Sequence, residues 1–315
     1  MTFRFWVEAI AQNDFFRLSR KPFLIGISGD SASGKDTCAK NIAGIFGEQS
    51  TLMISGDAYH LWDRKKPIWQ IITHLNPTAN DLEKFLDDLI SLKDGNEILS
   101  RQYDHNTGKL TKMTKIRSND VIIASGLHTL SHPVLRNYFD LKIYLDIDED
   151  LRRFFKIKRD TKERNHSSSD VLKDITQRQS DSIRFIHPQM KYADLVFSLQ
   201  PIHSKLLRTI DLKTIPRLKL AVTASNGFNS SSLHRILVGV CGLHVDIEVL
   251  DDGSNRMTIE GDVSPADIEQ SANILCKRLI QFLDISPSWE SGMSGLTQLI
   301  SLYYINQLIN KRLLE

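Results

Sequence analysis

The stretch that most constrains the fold is an apolar run followed by a glycine-bounded loop and a lysine. Residues 23–28 have the apolar, β-branched character of a buried strand. Gly29 and Gly34 then enclose four residues, and Lys35 follows, which matches G-x-x-x-x-G-K. Such a loop aims several N–H groups at one spot, where the lysine and the next helix N-terminus help to bind phosphate. The pattern predicts a nucleoside triphosphate site; the alternative is a glycine-rich turn. The predicted nucleotide-binding residues are Gly29, Asp30, Ser31, Ala32, Ser33, Gly34, Lys35, Asp36 and Thr37.

Composition narrows the class of protein further. The chain has 315 residues, of which 41% are apolar and 25% charged, as is usual for a globular protein. The net charge of +2 gives no reason to expect nucleic acid or a membrane as a partner. The three cysteines are far apart, which favours reduced thiols in a cytoplasmic protein. No apolar run approaches the roughly 18 residues of a membrane span, and the N-terminal residues lack a signal-peptide pattern.

The order of predicted elements indicates three parts. Residues 1–22 have loosely helical spacing and predict an N-terminal helical extension. In residues 23–200 strands alternate with helices, which predicts an α/β fold of the P-loop NTPase type, with a mostly parallel sheet and helices on both faces. In residues 201–315, segments 217–224 and 235–261 look strand-rich, and 266–282 and 295–314 look helical. We expect this last part to extend the same sheet and to offer a homodimer surface.

Polar residues follow the second predicted strand, at the sheet edge where α/β proteins keep their chemistry. Asp57 could accept a proton from a substrate hydroxyl, and His60 and Arg64 could bind an anion. The alternative is an ordinary polar loop. A predicted hairpin between residues 98 and 117 places Tyr103 and His105 where they could lean over a substrate.

A charged helix is predicted from about residue 149 to 164. Lys156, Arg159 and Asp160 share one side of it, with Arg164 at the edge of that side, and Arg178 lies on the following helix. A solvated charged face is the default interpretation. The density of cations beside a nucleotide-binding fold argues against that default.

The order of these motifs resembles the phosphoribulokinase–uridine kinase family, and within it the phosphoribulokinases. The resemblance spans residues 23–200, and residues 295–302 are weakly similar to the end of the plant and cyanobacterial phosphoribulokinases. The matching stretches are 29–35 (GDSASGK), 56–64 (GDAYHLWDR), 103–105 (YDH), 126–128 (GLH), 156–167 (KIKRDTKERNHS) and 187–194 (HPQMKYAD).

The resemblance implies transfer of the ATP γ-phosphoryl group, with Mg²⁺, to a hydroxyl of a small-molecule sugar phosphate. Ribulose 5-phosphate is the acceptor in the type reaction. Carried over by position, Asp57 becomes the general base, while Lys35, Lys156, Arg159 and Asp160 stabilise the transferring group. The implied substrate-binding residues are His60, Arg64, Tyr103, His105, Arg164 and Arg178.

The chain departs from the family at two positions around the metal. The residue after the P-loop lysine is Ser or Thr in the family and Asp36 here, while the Glu before the Gly-Leu-His stretch is Ser125 here. Our hypothesis is an exchange across the site, in which Asp36, Thr37 and Ser125 supply the hard oxygen ligands of Mg²⁺. The alternative is decay of the metal site.

Three functions stay open at this stage. The first is a kinase for ribulose 5-phosphate, and the second is a kinase for another sugar phosphate or a nucleoside. The third is a catalytically silent ATP-binding regulator. The altered metal pair favours the third, and the retained Lys35, Asp57, Arg159 and Asp160 oppose it.

Overall fold

The computed structural model describes residues 21–314 apart from 64–65, 105–106, 164–166, 204–206, 208–213, 215, 226–227 and 284. Almost all of the predicted N-terminal helix, and Arg64, His105 and Arg164, therefore lie outside the described residues.

Up to about residue 200 the described strands of the main sheet are connected by helices, and four short strands among the described residues lie outside that sheet between residues 98 and 116. The strands are β1 (Phe23–Gly29), β2 (Thr51–Ser55), β3 (Ile98–Ser100), β4 (Tyr103–Asp104), β5 (Lys109–Leu110), β6 (Thr114–Ile116), β7 (Val121–Gly126), β8 (Leu141–Ile147), β9 (Leu195–Pro201), β10 (Leu218–Ala224), β11 (His244–Val249) and β12 (Asn255–Glu260). The α-helices are α1 (Lys35–Phe46), α2 (Leu82–Lys93), α3 (Pro133–Tyr138), α4 (Glu149–Glu163), α5 (Ser168–Asp181), α6 (Ser230–Gly239), α7 (Pro265–Leu275), α8 (Lys277–Gln281) and α9 (Gly292–Leu314).

The main sheet has eight described strands in the order β2-β7-β1-β8-β9-β10-β12-β11. The five from β2 to β9 are parallel, and the last three pair antiparallel. The central position of β1 between β7 and β8 places the glycine-bounded loop at the carboxyl edge of the parallel strands, where such sheets bind ligands. The predicted fold class, including the C-terminal strands that continue the sheet, is confirmed.

Hydrophobic clusters cover both faces of this sheet. In β1, Leu24 belongs to one cluster and Ile25 and Ile27 to the other, as alternation along a strand requires. The helix α9 packs on α1, and its buried Gln298 donates a hydrogen bond to the carbonyl of Asn41 at 2.7 Å. The C-terminal part is thus packed directly against the helix that follows the glycine-bounded loop.

Two segment predictions after residue 201 are corrected. Residues 235–239, predicted as strand, belong to α6, because Leu233 and Leu237 are buried one turn apart and Asn229 caps the helix. The segment 266–282 is two helices that break at Cys276. The turn at 251–255 does join β11 to β12 as predicted. None of the described helices is long and apolar enough to cross a membrane.

Candidate active site

The glycine-bounded loop, predicted to bind a nucleotide, has the backbone conformation that its glycines predict. At Gly29 the angle φ is +154°, and a Cβ there would lie 2.5 Å from the carbonyl oxygen of Leu145. Gly34 caps α1 with φ +92°. The ammonium group of Lys35 donates to the carbonyl of Asp30 at 2.8 Å, which folds the lysine back across the loop. Burial lowers the pKa of Lys35, although the nearby carboxylates of Asp36 and Asp57 oppose this.

The side chain of Asp30 is buried and connects the loop to residues of two other segments, Arg152 in α4 and Ser182 and His187 after α5. It is only 5% exposed and lies 3.6 Å from the guanidinium of Arg152 and 3.8 Å from the imidazole of His187. Ser182 and the N–H of Ser31 donate hydrogen bonds to it. Burial alone would raise the pKa of Asp30, but contact with His187, then the charge of Arg152, hold it well below its usual range. Asp30 is therefore a structural carboxylate.

Replacing Asp30 by Asn is expected to lower the free energy of unfolding near pH 7 by about 2–3 kcal/mol. The lowered pKa of the folded state stabilises the protein above the unfolded value of about 4, and this contribution is lost as the pH falls. Urea unfolding at several pH values measures it. The exposed carboxylate of Asp94, paired with Lys21, provides the control Asp94→Asn, expected to cost about 0.5 kcal/mol or less. A deficit of Asp30→Asn that persists unchanged at acid pH contradicts the assignment.

A cavity of about 650 Å³ opens between the glycine-bounded loop, the end of β2 and the helix α4. Most of the predicted site residues meet there. The lining includes Ser31, Ala32, Ser33, Gly34, Lys35, Asp36, Thr37, Asp57, His60, Tyr103, Ser125, Lys156, Arg159, Asp160 and Arg178. Gly29 and Asp30 are not part of the lining and support the loop instead.

Asp57 stands at the start of a 3-10 turn, Gly56–Tyr59, that follows β2 directly. Ser55 caps the turn by accepting a hydrogen bond from the N–H of Asp57. The start of this turn lies against the end of β7, since a Cβ on Gly126 would lie 3.0 Å from the Cα of Gly56. This approach brings Asp57 and Ser125 to the same end of the cavity. The carboxylate of Asp57 is one quarter exposed and lies 3.5 Å from Nε2 of His60.

An aromatic cluster surrounds His60. Its ring stacks on that of His74 with centroids 3.4 Å apart, and Tyr103 meets it edge-on at 5.1 Å. Nδ1 of His60 lies 2.8 Å from Oδ1 of Asn80. His128 faces the carbonyl of His74 through Nε2 at 3.0 Å. Burial lowers the pKa of His128 to about 4, although that hydrogen bond acts in the opposite direction, so this ring is neutral near pH 7.

The charged side of α4 faces the cavity and not solvent. Lys156 and Asp160 are 3% and 5% exposed, and both line the cavity with Arg159. Arg159 donates to Asp160 at 2.8 Å, which fixes its guanidinium beside the loop. The default interpretation of a solvated face is therefore wrong for these residues. Phosphoryl groups would meet several cations here.

Sequence reasoning missed several residues of the cavity wall. Thr73, His74, Lys158 and Lys162 also line it, and Asn80 contacts His60 from behind. The two lysines carry a usable signal, because they share α4 with Lys156. No pattern marks Thr73 and His74, which lie in irregular chain between short 3-10 turns.

The donor set of the cavity fits Mg²⁺. Asp36, Thr37 and Ser125 all line it, and each offers the hard oxygen that this ion prefers. Among the residues that the structure describes, no group of three or more His, Cys, Asp or Glu could hold a metal ion. A site with few protein ligands is what Mg²⁺ adopts when phosphate oxygens and water complete its shell.

A phosphate-binding loop between a central parallel strand and a helix defines the P-loop nucleotide-binding class. A match to the family described as Phosphoribulokinase / Uridine kinase covers residues 24–204, more than half of the chain. The chain belongs to this family, which confirms the resemblance seen in the motifs.

Relatives of two kinds support this membership. The Synechocystis phosphoribulokinase is 37% identical over 191 residues, which are 59% of this chain and 58% of that protein. A Clostridium botulinum uridine kinase is 34% identical over 181 residues, 56% of this chain and 88% of that protein. The chain thus spans a little over half the length of the first of these, and 52% of the Arabidopsis thaliana chloroplastic phosphoribulokinase.

A solved structure shows the same fold. The phosphoribulokinase from Rhodobacter spheroides superposes with a TM-score of 0.59 over 84% of this chain and 98% of that one. At 19% identity this similarity concerns the fold alone.

Proposed function

We propose that this protein is an ATP-dependent kinase that transfers the γ-phosphoryl group to a hydroxyl of a phosphorylated pentose, with ribulose 5-phosphate as the first candidate. The observation that carries the proposal is the shared cavity of Asp57, Lys35 and the cationic side of α4. Phosphoryl transfer needs mainly positioning and charge stabilisation, so one base and several cations suffice. A cytoplasmic homodimer is part of the same proposal.

Each step of the reaction has a residue at hand. The N–H groups of the loop and Lys35 hold the β- and γ-phosphates, as the N-terminus of α1 favours negative charge. The carboxylate of Asp57 takes the proton of the acceptor hydroxyl, and the hydroxyl oxygen attacks the γ-phosphorus of ATP. The bond between the γ-phosphorus and the β–γ bridging oxygen breaks, and ADP leaves with that oxygen. Lys156 and Arg159 meet the charge on the transferring group, and Asp160 orients Arg159.

We infer that residues of the cavity wall bind the acceptor, namely His60, His74, Tyr103 and Arg178. The guanidinium of Arg178 adds a cation to the cavity wall, which favours an acceptor that already carries a phosphate. Arg64, His105 and Arg164 complete the proposed set from outside the described residues.

Mg²⁺ would be held by Asp36, Thr37 and Ser125. When bound, it neutralises charge on the β- and γ-phosphate oxygens.

Exchanging the residue types at Asp36 and Ser125 is expected to show that the effects of the two substitutions on Mg²⁺-dependent ATP binding are coupled. If Asp36 and Ser125 are a compensated pair, Asp36→Ser and Ser125→Glu each weaken Mg²⁺-dependent ATP binding by about 10–100-fold. The double variant then binds better than either single one. Calorimetric titration of ATP with and without Mg²⁺ gives this without relying on turnover. Losses that simply add, or no losses, contradict the exchange and leave decay of the site.

A nucleoside kinase is the second candidate, favoured by the uridine kinase relative of which the alignment covers 88%. Measuring ADP release with ribulose 5-phosphate, ribulose and uridine separates the candidates. The pentose phosphate proposal expects kcat/KM to be highest for ribulose 5-phosphate and much lower for ribulose. Preference for uridine supports the second candidate. Tight ATP binding without turnover on any acceptor supports a silent regulator.

A further inference from the structure

The side-chain amide of Asn80 has only one possible orientation. Its nitrogen donates to the carbonyls of His74 at 3.0 Å and Asn76 at 2.9 Å. Both partners only accept, so the amide nitrogen must face them and Oδ1 must face the other way. The backbone holds this arrangement, since His60 and Asn80 form an isolated β-bridge.

This orientation decides which nitrogen of His60 carries a proton. Oδ1 of Asn80 lies 2.8 Å from Nδ1 of His60, and an amide oxygen can only accept. Nδ1 of His60 is therefore protonated. The ring is 3% exposed and stacked against His74, so it has no room to turn over. When His60 is neutral, its other nitrogen, Nε2, carries no proton.

The unprotonated nitrogen faces Asp57. Nε2 of His60 lies 3.5 Å from Oδ1 of the carboxylate. If Nε2 of His60 carried a proton, it could donate to the carboxylate of Asp57, which would stabilise the carboxylate and make it a weaker base. With a lone pair on Nε2 instead, His60 and Asp57 together are a better proton acceptor.

We propose that Asn80 is a positioning residue for the phosphoryl transfer, because it holds the neutral ring of His60 in the Nδ1–H tautomer, in which Nε2 cannot donate a hydrogen bond to Asp57. The catalytic part of this assignment rests on the kinase function proposed above. The tautomer itself does not depend on it.

Nuclear magnetic resonance of protein labelled with ¹⁵N-histidine tests the tautomer directly. Long-range proton–nitrogen correlations distinguish protonated from unprotonated ring nitrogens, and the signals lost in His60→Gln assign His60. Spectra are recorded at rising pH until the ring is neutral. We expect a protonated Nδ1 and an unprotonated Nε2. A neutral ring with its proton on Nε2 overturns the proposal.

Two variants distinguish the effect of Asn80 on the His60 tautomer, called the tautomer lock, from structural support of the 3-10 turn Pro77–Ala79. Asn80→Leu removes the acceptor, and we expect His60 to shift toward the Nε2–H form. Asn76→Ala removes a cap of the same turn, in which Oδ1 accepts from the N–H of Thr78 at 3.1 Å, but leaves Asn80 in place. In Asn76→Ala, His60 should keep the Nδ1–H form.

If Asn80→Leu does not fold, Asn80→Asp keeps an acceptor beside Nδ1, and His60 should also keep the Nδ1–H form. An unchanged tautomer in a folded Asn80→Leu, or an Nε2–H form in Asn80→Asp, overturns the tautomer lock.

Kinetics test the catalytic part. Asn80→Leu should lower kcat at least about tenfold, since a positioned base contributes about 10²–10⁴-fold. The KM for ATP should stay within about twofold, because Asn80 does not line the cavity in which ATP is proposed to bind. Asn76→Ala should change kcat less than about threefold. Equal losses in both variants show a merely structural role. If no acceptor supports turnover in the wild type, the kinase function fails, while the spectra still decide the tautomer.

Discussion

Replacing Asp57 by Asn is expected to lower kcat by about 10²–10⁴-fold, the range that a positioned general base contributes. The amide keeps the shape of the side chain but cannot take the proton of the acceptor hydroxyl. Binding of ATP should be nearly unchanged, because the loop and Lys35 hold the phosphates. Steady-state ADP release gives kcat, and calorimetric titration gives the affinity for ATP.

The control for this change is Asp63→Asn. Asp63 lies six residues further along, and its Oδ1 accepts a hydrogen bond from the N–H of Leu110 at 3.0 Å. The amide retains this acceptor, and Asp63 does not line the cavity. We expect kcat within about twofold of wild type, because the hydrogen bond to Leu110 is kept and the changed group does not line the cavity. Equal losses in both variants would mean that Asp57 supports the loop and is not the base.

Replacing Lys35 by Met is expected to lower kcat by about 10²–10³-fold and to weaken ATP binding as well. The ammonium group of Lys35 donates a hydrogen bond to the carbonyl of Asp30, which holds it across the loop. From there it can stabilise the negative charge on the γ-phosphoryl group in the transition state. An unbranched apolar side chain fills similar space without charge. Single-turnover rates and titration of ATP separate the two effects.

Lys40→Met on the same helix is the matched control. Lys40 is exposed and lies away from the cavity. Its loss should leave both the rate and the affinity within about twofold of wild type. If Lys35→Met retains full turnover, the loop does not act as the phosphate-binding site.

The parts of the fold that local patterns dictate could be predicted from sequence. The strand β1, its loop and α1 follow from an apolar run, two glycines and a lysine. The helix α6 was missed because Ile236 and Val238 are β-branched, whereas the burial of Leu233 and Leu237 in the folded protein favours the helix. The pairing of β12 with β10 depends on contact between segments that α6 and β11 separate in the chain, which no local pattern encodes.

The candidate site likewise contains residues that local sequence patterns predict and residues that they do not. Residues directly after predicted strands, such as Asp57 and Ser125, could be placed because parallel strands end at one edge. The charged side of α4 was visible, but its burial depends on how the helix packs. His74 and Asn80 come from an irregular segment that the backbone bridge to His60 holds in place. Their importance emerges only from the three-dimensional arrangement.

The most direct test of the central claim is ADP formation by the purified protein with Mg²⁺ and ATP, with and without ribulose 5-phosphate, and mass analysis of the sugar product. The proposed function predicts ADP formation that depends on the sugar phosphate, a product heavier by one phosphoryl group, and collapse of both signals in Asp57→Asn. ADP formation that is independent of the sugar phosphate, or a sugar phosphate recovered unchanged, would contradict it.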